Sequence, residues 1–102
     1  MMNSFTVSSF TEHLNSTFEI DTEATDPIIA SLIEVKELGT QAVKKPEVTD
    51  RSPFSLVFRC DKEIFLEQKI YKMRHKLMGD LEIFLVPIGE DKDGLLYEAI
   101  FN

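Results

Sequence analysis

Apolar residues in this chain recur mostly at every second position, the period of a strand with one buried face. In Phe54–Cys60, FSLVFRC, the residues Phe54, Leu56, Phe58 and Cys60 face inward. Ser55 and Arg59 face out, with Val57 between them. Ile70–Leu77, IYKMRHKL, alternates in the same way. Tyr71, Met73, His75 and Leu77 share one face, and Lys72, Arg74 and Lys76 share the other. Met78-Gly79-Asp80 then supplies a tight connection, with Gly79 free to take a positive φ. A three-residue loop there predicts that Leu77 pairs with Leu81, Lys76 with Glu82 and His75 with Ile83, keeping apolar beside apolar and base beside acid.

The most hydrophobic stretch is Leu81–Asn102, where the apolar runs Leu81–Ile88 and Leu95–Phe101 flank a polar loop holding Asp93-Gly94. This pattern predicts a hairpin on which the core is built. Leu81–Ile88 is apolar on both faces, which predicts a central strand covered on both sides, with the N-terminal helix as its second cover. Pro87 cannot donate to a ladder, and Gly89 permits a bulge beside it.

The N-terminal third reads as a short helix followed by strands. Ser8 or Ser9 caps the helix, with Glu12 at the capping-box spacing from Ser9. Phe10, His13 and Leu14 share one helix face, and Asn15-Ser16 ends it. Thr17–Ile20 is a first strand with Phe18 and Ile20 alternating. Ile28–Leu38 is a second, favoured over a helix by its β-branched residues. Ile29, Ile33 and Val35 are placed on one face, Glu34 and Lys36 on the other. Residues 39–53 carry Pro46 and Pro53 with no apolar period, which predicts a loop. Residues 61–69 form a connector that Ile64, Phe65 and Leu66 pin over one end of the core.

Together these elements predict a mainly β fold. Five to six antiparallel strands, with one short N-terminal helix, close into a small antiparallel β-barrel or a two-layer sandwich. The length, 102 residues, corresponds to a single domain over residues 1–102 with one modest core.

Charge narrows the partners. The net charge of −7 lacks the basic footprint that phosphate binding requires, so no nucleic acid is expected. The charge is also uneven. Residues 1–35 hold six acids and no base, residues 36–78 ten bases and six acids, and residues 79–102 six acids and one base. A basic middle between acidic ends is either paired within the fold or complementary between copies. No apolar run approaches the roughly 20 residues that span a bilayer, so no membrane is expected. The opening MMNSFTVSSFTEH lacks a basic n-region and a sustained apolar stretch, so a cytoplasmic location is expected.

Candidate chemistry is sparse. Cys60 is the one cysteine, which excludes an intrachain disulfide. His13 and His75 lie on different elements, short of the clustered ligands that zinc needs, so no metal or other cofactor is expected. The loop Glu90–Gly94 departs from the calcium-loop pattern: aligning Gly94 with that pattern's glycine places Gly89 at its first ligand position. Cys60 with His75 would be a nucleophile pair only if the thiol were accessible, and it lies on an inward face. No P-loop, dinucleotide fingerprint or G-x-S-x-G elbow occurs. No catalytic residues are therefore assigned, and the chain is expected not to be an enzyme. Glu98, between Leu96 and Ile100, would need a basic partner such as Arg59 or Arg74 if its face were covered. The one surface feature that stands out is the row Lys72, Arg74 and Lys76. It is either a solvated edge that discourages pairing or a contact for an acidic partner.

Two tracts, PFSLVFR (Pro53–Arg59) and LEIFLVPIGEDKDGLLYEAIFN (Leu81–Asn102), carry a family resemblance. With Phe10 and Phe18 ahead of them, they resemble an uncharacterised family of bacterial domains of unknown function. Cys60 stands where the family pattern favours glycine. The resemblance implies association with phage-tail-like proteins, especially tail-collar-type fibres, and supplies no catalytic residues. The expected function is a non-enzymatic structural or protein-interaction domain, an accessory or assembly component of such a particle. Its partner is another protein or a second copy of itself. The alternative is a small-ligand-binding β-barrel with its pocket at the barrel mouth.

Overall fold

A computed structural model describes residues 6–22, 26–38, 53–63 and 65–101. The loop predicted over 39–53, apart from Pro53, and Ile64 of the connector lie outside the described residues. The described chain forms one helix, α1 (Val7–Thr11), and six strands: β1 (Thr17–Ile20), β2 (Ile28–Glu37), β3 (Phe54–Cys60), β4 (Lys69–His75), β5 (Gly79–Asp91) and β6 (Gly94–Phe101). The fold is mainly β, as the alternation predicts. All six strands are antiparallel and belong to one sheet in the order β1-β2-β3-β6-β5-β4, and β1 pairs back onto β4 to close a ring. That last seam is short, with only Glu19 opposite Arg74 and Ile20 opposite Met73.

Inside the ring the alternating residues form one core, including Phe18, Ile20, Leu32, Leu56, Phe58, Met73, Leu81, Ile83, Leu85 and Tyr97. Phe18 meets Phe58 edge to face at 5.3 Å between centroids, the geometry that the ring quadrupoles favour. Both ends of the ring are covered. At one, Phe10 of α1 lies 5.8 Å from Phe54 and 5.5 Å from Phe101, while His13 just beyond α1 packs at a tilt against His75 of β4, 4.4 Å between centroids. At the other, the buried Leu66 of the connector donates its backbone N–H to the Tyr97 hydroxyl at 2.9 Å. The Tyr71 hydroxyl donates to the Glu67 carbonyl at 2.7 Å. Leu66 thus pins the connector as predicted, whereas Phe65 stands in solvent, 67% exposed.

Several expectations need correction. The helix begins two to three residues earlier than predicted. Thr6 is its N-cap, and the Thr6 backbone N–H donates to the Ser9 hydroxyl at 3.1 Å. Ser9 thus occupies the position expected for Glu12. Asn15 ends the turn with a φ of 73°, a left-handed conformation that asparagine tolerates. In β2 the inward residues are Ile28, Ala30 and Leu32, and Ile29 points to solvent. A bulge at Ile33, between the pairs Leu32–Phe58 and Glu34–Val57, then reverses the parity. Val35 can therefore pack inward as predicted, although Ile29 cannot.

The β4–β5 register is shifted four residues from the prediction. His75 pairs with Gly79, Met73 with Leu81 and Lys72 with Glu82. An even shift keeps every face and still sets a base opposite an acid, so a different lysine satisfies the same charge rule. Leu77 consequently falls in the turn and is exposed. Finally, β5 is not covered on both sides: Phe84 and Ile88 are exposed, and α1 packs against β2 instead. The bulge expected at Gly89 is present, between the pairs Pro87–Tyr97 and Gly89–Leu96, with Gly89 at a φ of 149°.

Candidate functional site

The three bases Lys72, Arg74 and Lys76 do not form one stripe. β4 ends at His75, so Lys76 lies in the turn that follows. Arg74 is engaged within the fold: its guanidinium donates to Asp21 at 2.7 Å and to Glu19 at 3.3 Å. Those contacts clamp β4 to β1 across the short seam, and the two acids raise the pKa of Arg74. Lys72 remains on the outward face, directly opposite Glu82. Among the described residues neither Lys72 nor Glu82 takes part in an ion pair.

Next to Lys72 and Glu82 in the same ladder is an apolar pair. Ile70, 62% exposed, stands opposite Phe84, 47% exposed. Phe84 lies on the outward face because its neighbours Ile83 and Leu85 point inward. Ile100, also exposed, follows Glu98 by two residues on the outward face of β6. Large exposed side chains that neighbour one another on a sheet face differ from single scattered ones, because water cannot be excluded from them without a partner. The sequence carries a sign of this patch, since Phe84 breaks the polar side of β5, but two-sided hydrophobicity in a strand is equally the mark of burial.

A second feature lies at the α1 end, where a cleft of about 640 Å³ is lined by His13, Ser16, Glu19, Arg74, His75 and Leu77, among others. His75 is its buried member, 8% exposed. Its Nδ1 accepts the backbone N–H of Leu77 at 3.0 Å and that of Met78 at 3.2 Å. Its proton therefore sits on Nε2, which faces the Ser16 hydroxyl at 3.0 Å, and Ser16 in turn donates to the His13 carbonyl. Burial first, and then the neighbouring His13, lower the His75 pKa below its ordinary value. Both ring nitrogens are thus occupied, Nδ1 in shaping the β4–β5 turn and Nε2 against Ser16. No sequence pattern links His13 to His75, which lie far apart along the chain.

The remaining candidates are structural. Cys60 is buried, and desolvation pushes its thiol up to about 12, so it is protonated near neutrality and a poor nucleophile. Arg59 grips Asp91 through both Nε and a terminal nitrogen, the shortest contact being 2.7 Å. Asp91 also accepts the backbone N–H groups of Asp93 and Gly94. Chiefly through the Arg59 contact, its pKa is held down to about 2. The loop that faintly resembles a calcium site is therefore an Asx turn, and Gly94 is required there, because a Cβ would run into the Cys60 carbonyl oxygen. Neither arginine expected for Glu98 reaches it, since Arg59 and Arg74 are committed to other acids. Among the described residues no three His, Cys, Asp or Glu side chains are grouped to hold a metal ion. No described helix is long and apolar enough to cross a membrane.

Over residues 5–101 the sequence matches a family described as a domain of unknown function, DUF6916. The chain belongs to that family. The match spans both tracts that carry the resemblance to an uncharacterised domain family, apart from Asn102. No curated protein and no solved structure matches the chain. Membership in DUF6916 therefore brings no residue roles, and any function must be argued from the surface just described.

Proposed function

We propose that this DUF6916 domain is a non-enzymatic protein-interaction module. The observation that carries the reading is the outward pair Ile70–Phe84, an exposed apolar step on the β4–β5 face beside the uncommitted charges Lys72 and Glu82. Burying the remaining exposed surface of these two side chains against a partner contributes roughly 1–2 kcal/mol each. The groups that chemistry would call on are otherwise engaged, with Cys60 buried and protonated and His75 bonded through both nitrogens. A ligand at the mouth of the ring would have to displace Phe10 at one end or Leu66 at the other. The setting in a phage-tail-like particle is what the resemblance of the Pro53–Arg59 and Leu81–Asn102 tracts implies.

The test compares the wild-type protein with an Ile70→Ser/Phe84→Ser variant for self-association and for stable retention of another protein. The wild type is expected to bind protein through one of these routes, and the variant to lose it while keeping its circular dichroism spectrum. A wild-type chain that neither self-associates nor retains any protein would count against the reading.

A further inference from the structure

On the reading of this domain as an interaction module, we infer that the partner of the β4–β5 face is a second copy of the same chain, docked face to face about a two-fold axis running between β4 and β5. The register makes that face complementary to itself. Rotation about an axis parallel to the two strands sets β4 of one copy over β5 of the other. Each outward residue then meets its own cross-strand neighbour from the second copy, the isologous arrangement of a two-fold dimer. Lys72 meets Glu82 of the second copy and Glu82 meets its Lys72, while Ile70 and Phe84 meet each other twice. An apolar step is thus flanked on one side by opposite charges, so apolar burial and charge complementarity act on the same contact.

Two details of the fold fit this occupant. Lys72 and Glu82 lie opposite one another in the ladder yet form no ion pair within the chain, among the described residues. Both therefore remain available across an interface. Arg74, the next outward base on β4, is turned away toward Glu19 and Asp21. The charged part of the contact is therefore Lys72 and Glu82, with Asp80 as a further outward acid two residues before Glu82 on β5. With a net charge of −7 on each chain, two copies repel overall, so only a face carrying its own opposite charges favours approach.

Paired charge reversal tests the geometry. Lys72→Glu sets an introduced carboxylate against Glu82 of the second copy, and Glu82→Lys sets an introduced ammonium against its Lys72. Each single variant is expected to have half the wild-type molar mass by light scattering after size exclusion. Mixed one to one, the two variants are expected to regain the dimer mass. In the mixed pair the introduced carboxylate of one chain meets the introduced ammonium of the other. The native Glu82 of the first chain meets the native Lys72 of the second, although the pairs within each chain remain mismatched. Rescue on mixing therefore reports the interface and not the fold. Ile70→Ser/Phe84→Ser should halve the mass independently.

A dimeric wild type whose mass both single reversals leave unchanged would overturn the assignment, as would folded single variants that stay monomeric when mixed. A wild type that is monomeric up to its solubility limit would overturn it too. If that monomer still retains another protein through Phe84, the interaction reading survives and only the second copy fails. If it retains none, both fail.

Discussion

His75 shows how much one buried polar side chain can decide. Nδ1 holds two backbone N–H groups of the turn and Nε2 faces Ser16, so only the neutral ring satisfies all of them. Protonation would place a hydrogen on Nδ1, break both turn bonds and charge a ring packed at a tilt against His13 and Phe18. The folded pKa lies below the ordinary 6.5. Stability from this residue is therefore complete above about pH 6.5 and is lost as pH falls through the lowered folded value. The ionisable groups that share its cleft are His13, Glu19, Arg74 and Lys76. The expected outcome is a fall in melting temperature below about pH 6.5 that is markedly flatter in His75→Asn, whose amide oxygen can accept an N–H at any pH. Thermal melts of both proteins in steps across the acidic and neutral range check this. Equal slopes would mean that His75 does not govern the turn.

Among the elements, β2 carries the clearest lesson about register. Its alternation is regular over Ile28–Leu32 and again from Glu34, with Ile33 as the one extra residue between two ladders. Parity reverses at that point, so a single face assigned to the whole strand fails for its first half. Removing Ile33 would leave Leu32 opposite Phe58 and Glu34 opposite Val57, so both ladders survive. Removing Ile29 would instead push Ala30 or Ile28 outward and break the four pairs to β1. Deletion of Ile33 is thus expected to give a folded protein destabilised by about 1–3 kcal/mol, the loss of one half-buried isoleucine and a relaxed bend. Deletion of Ile29 is expected to prevent folding. Urea unfolding followed by circular dichroism separates the two, and equal stabilities would contradict the register.

At the scale of the molecule, the ring is uneven in strength. β3 pairs with β6 through seven residues and β4 with β5 through seven, whereas β1 meets β4 through two. Arg74 reinforces that seam through Glu19 and Asp21, in an exposed setting where ion pairs contribute little to global stability. Its effect should therefore appear as local opening. In Arg74→Ala the amides of Ile20, Asp21 and Met73 are expected to exchange with deuterium faster than in the wild type. Those of Leu56, Phe58 and Tyr97 should keep their protection. Uniform acceleration across both groups would show that the seam opens only with the whole ring.

Neighbouring residues suffice to specify the elements and, for most strands, their faces. Alternation in IYKMRH, the turn at Asp93-Gly94 and the Pro87–Gly89 bulge are local matters of period, ring constraint and glycine freedom, whereas FSLVFRC is buried on both faces, with Ser55 enclosed rather than facing out. The same local pattern indicates a mainly β domain, and the tracts Pro53–Arg59 and Leu81–Asn102 point to its family. Long-range contacts set the rest. A four-residue shift of the β4–β5 register preserves every face, so hydrophobic pattern cannot choose between Lys72 and Lys76 as the partner of Glu82. The bulge at Ile33 depends on what β3 offers opposite it. Whether Phe84 is covered or exposed depends on where α1 packs, and α1 closes the end of the ring through Phe10 and leaves the outward face of β5 bare. Local propensity reports what a residue favours, whereas its neighbours across the ring are set by chain closure, and the candidate contact surface is made of those neighbours.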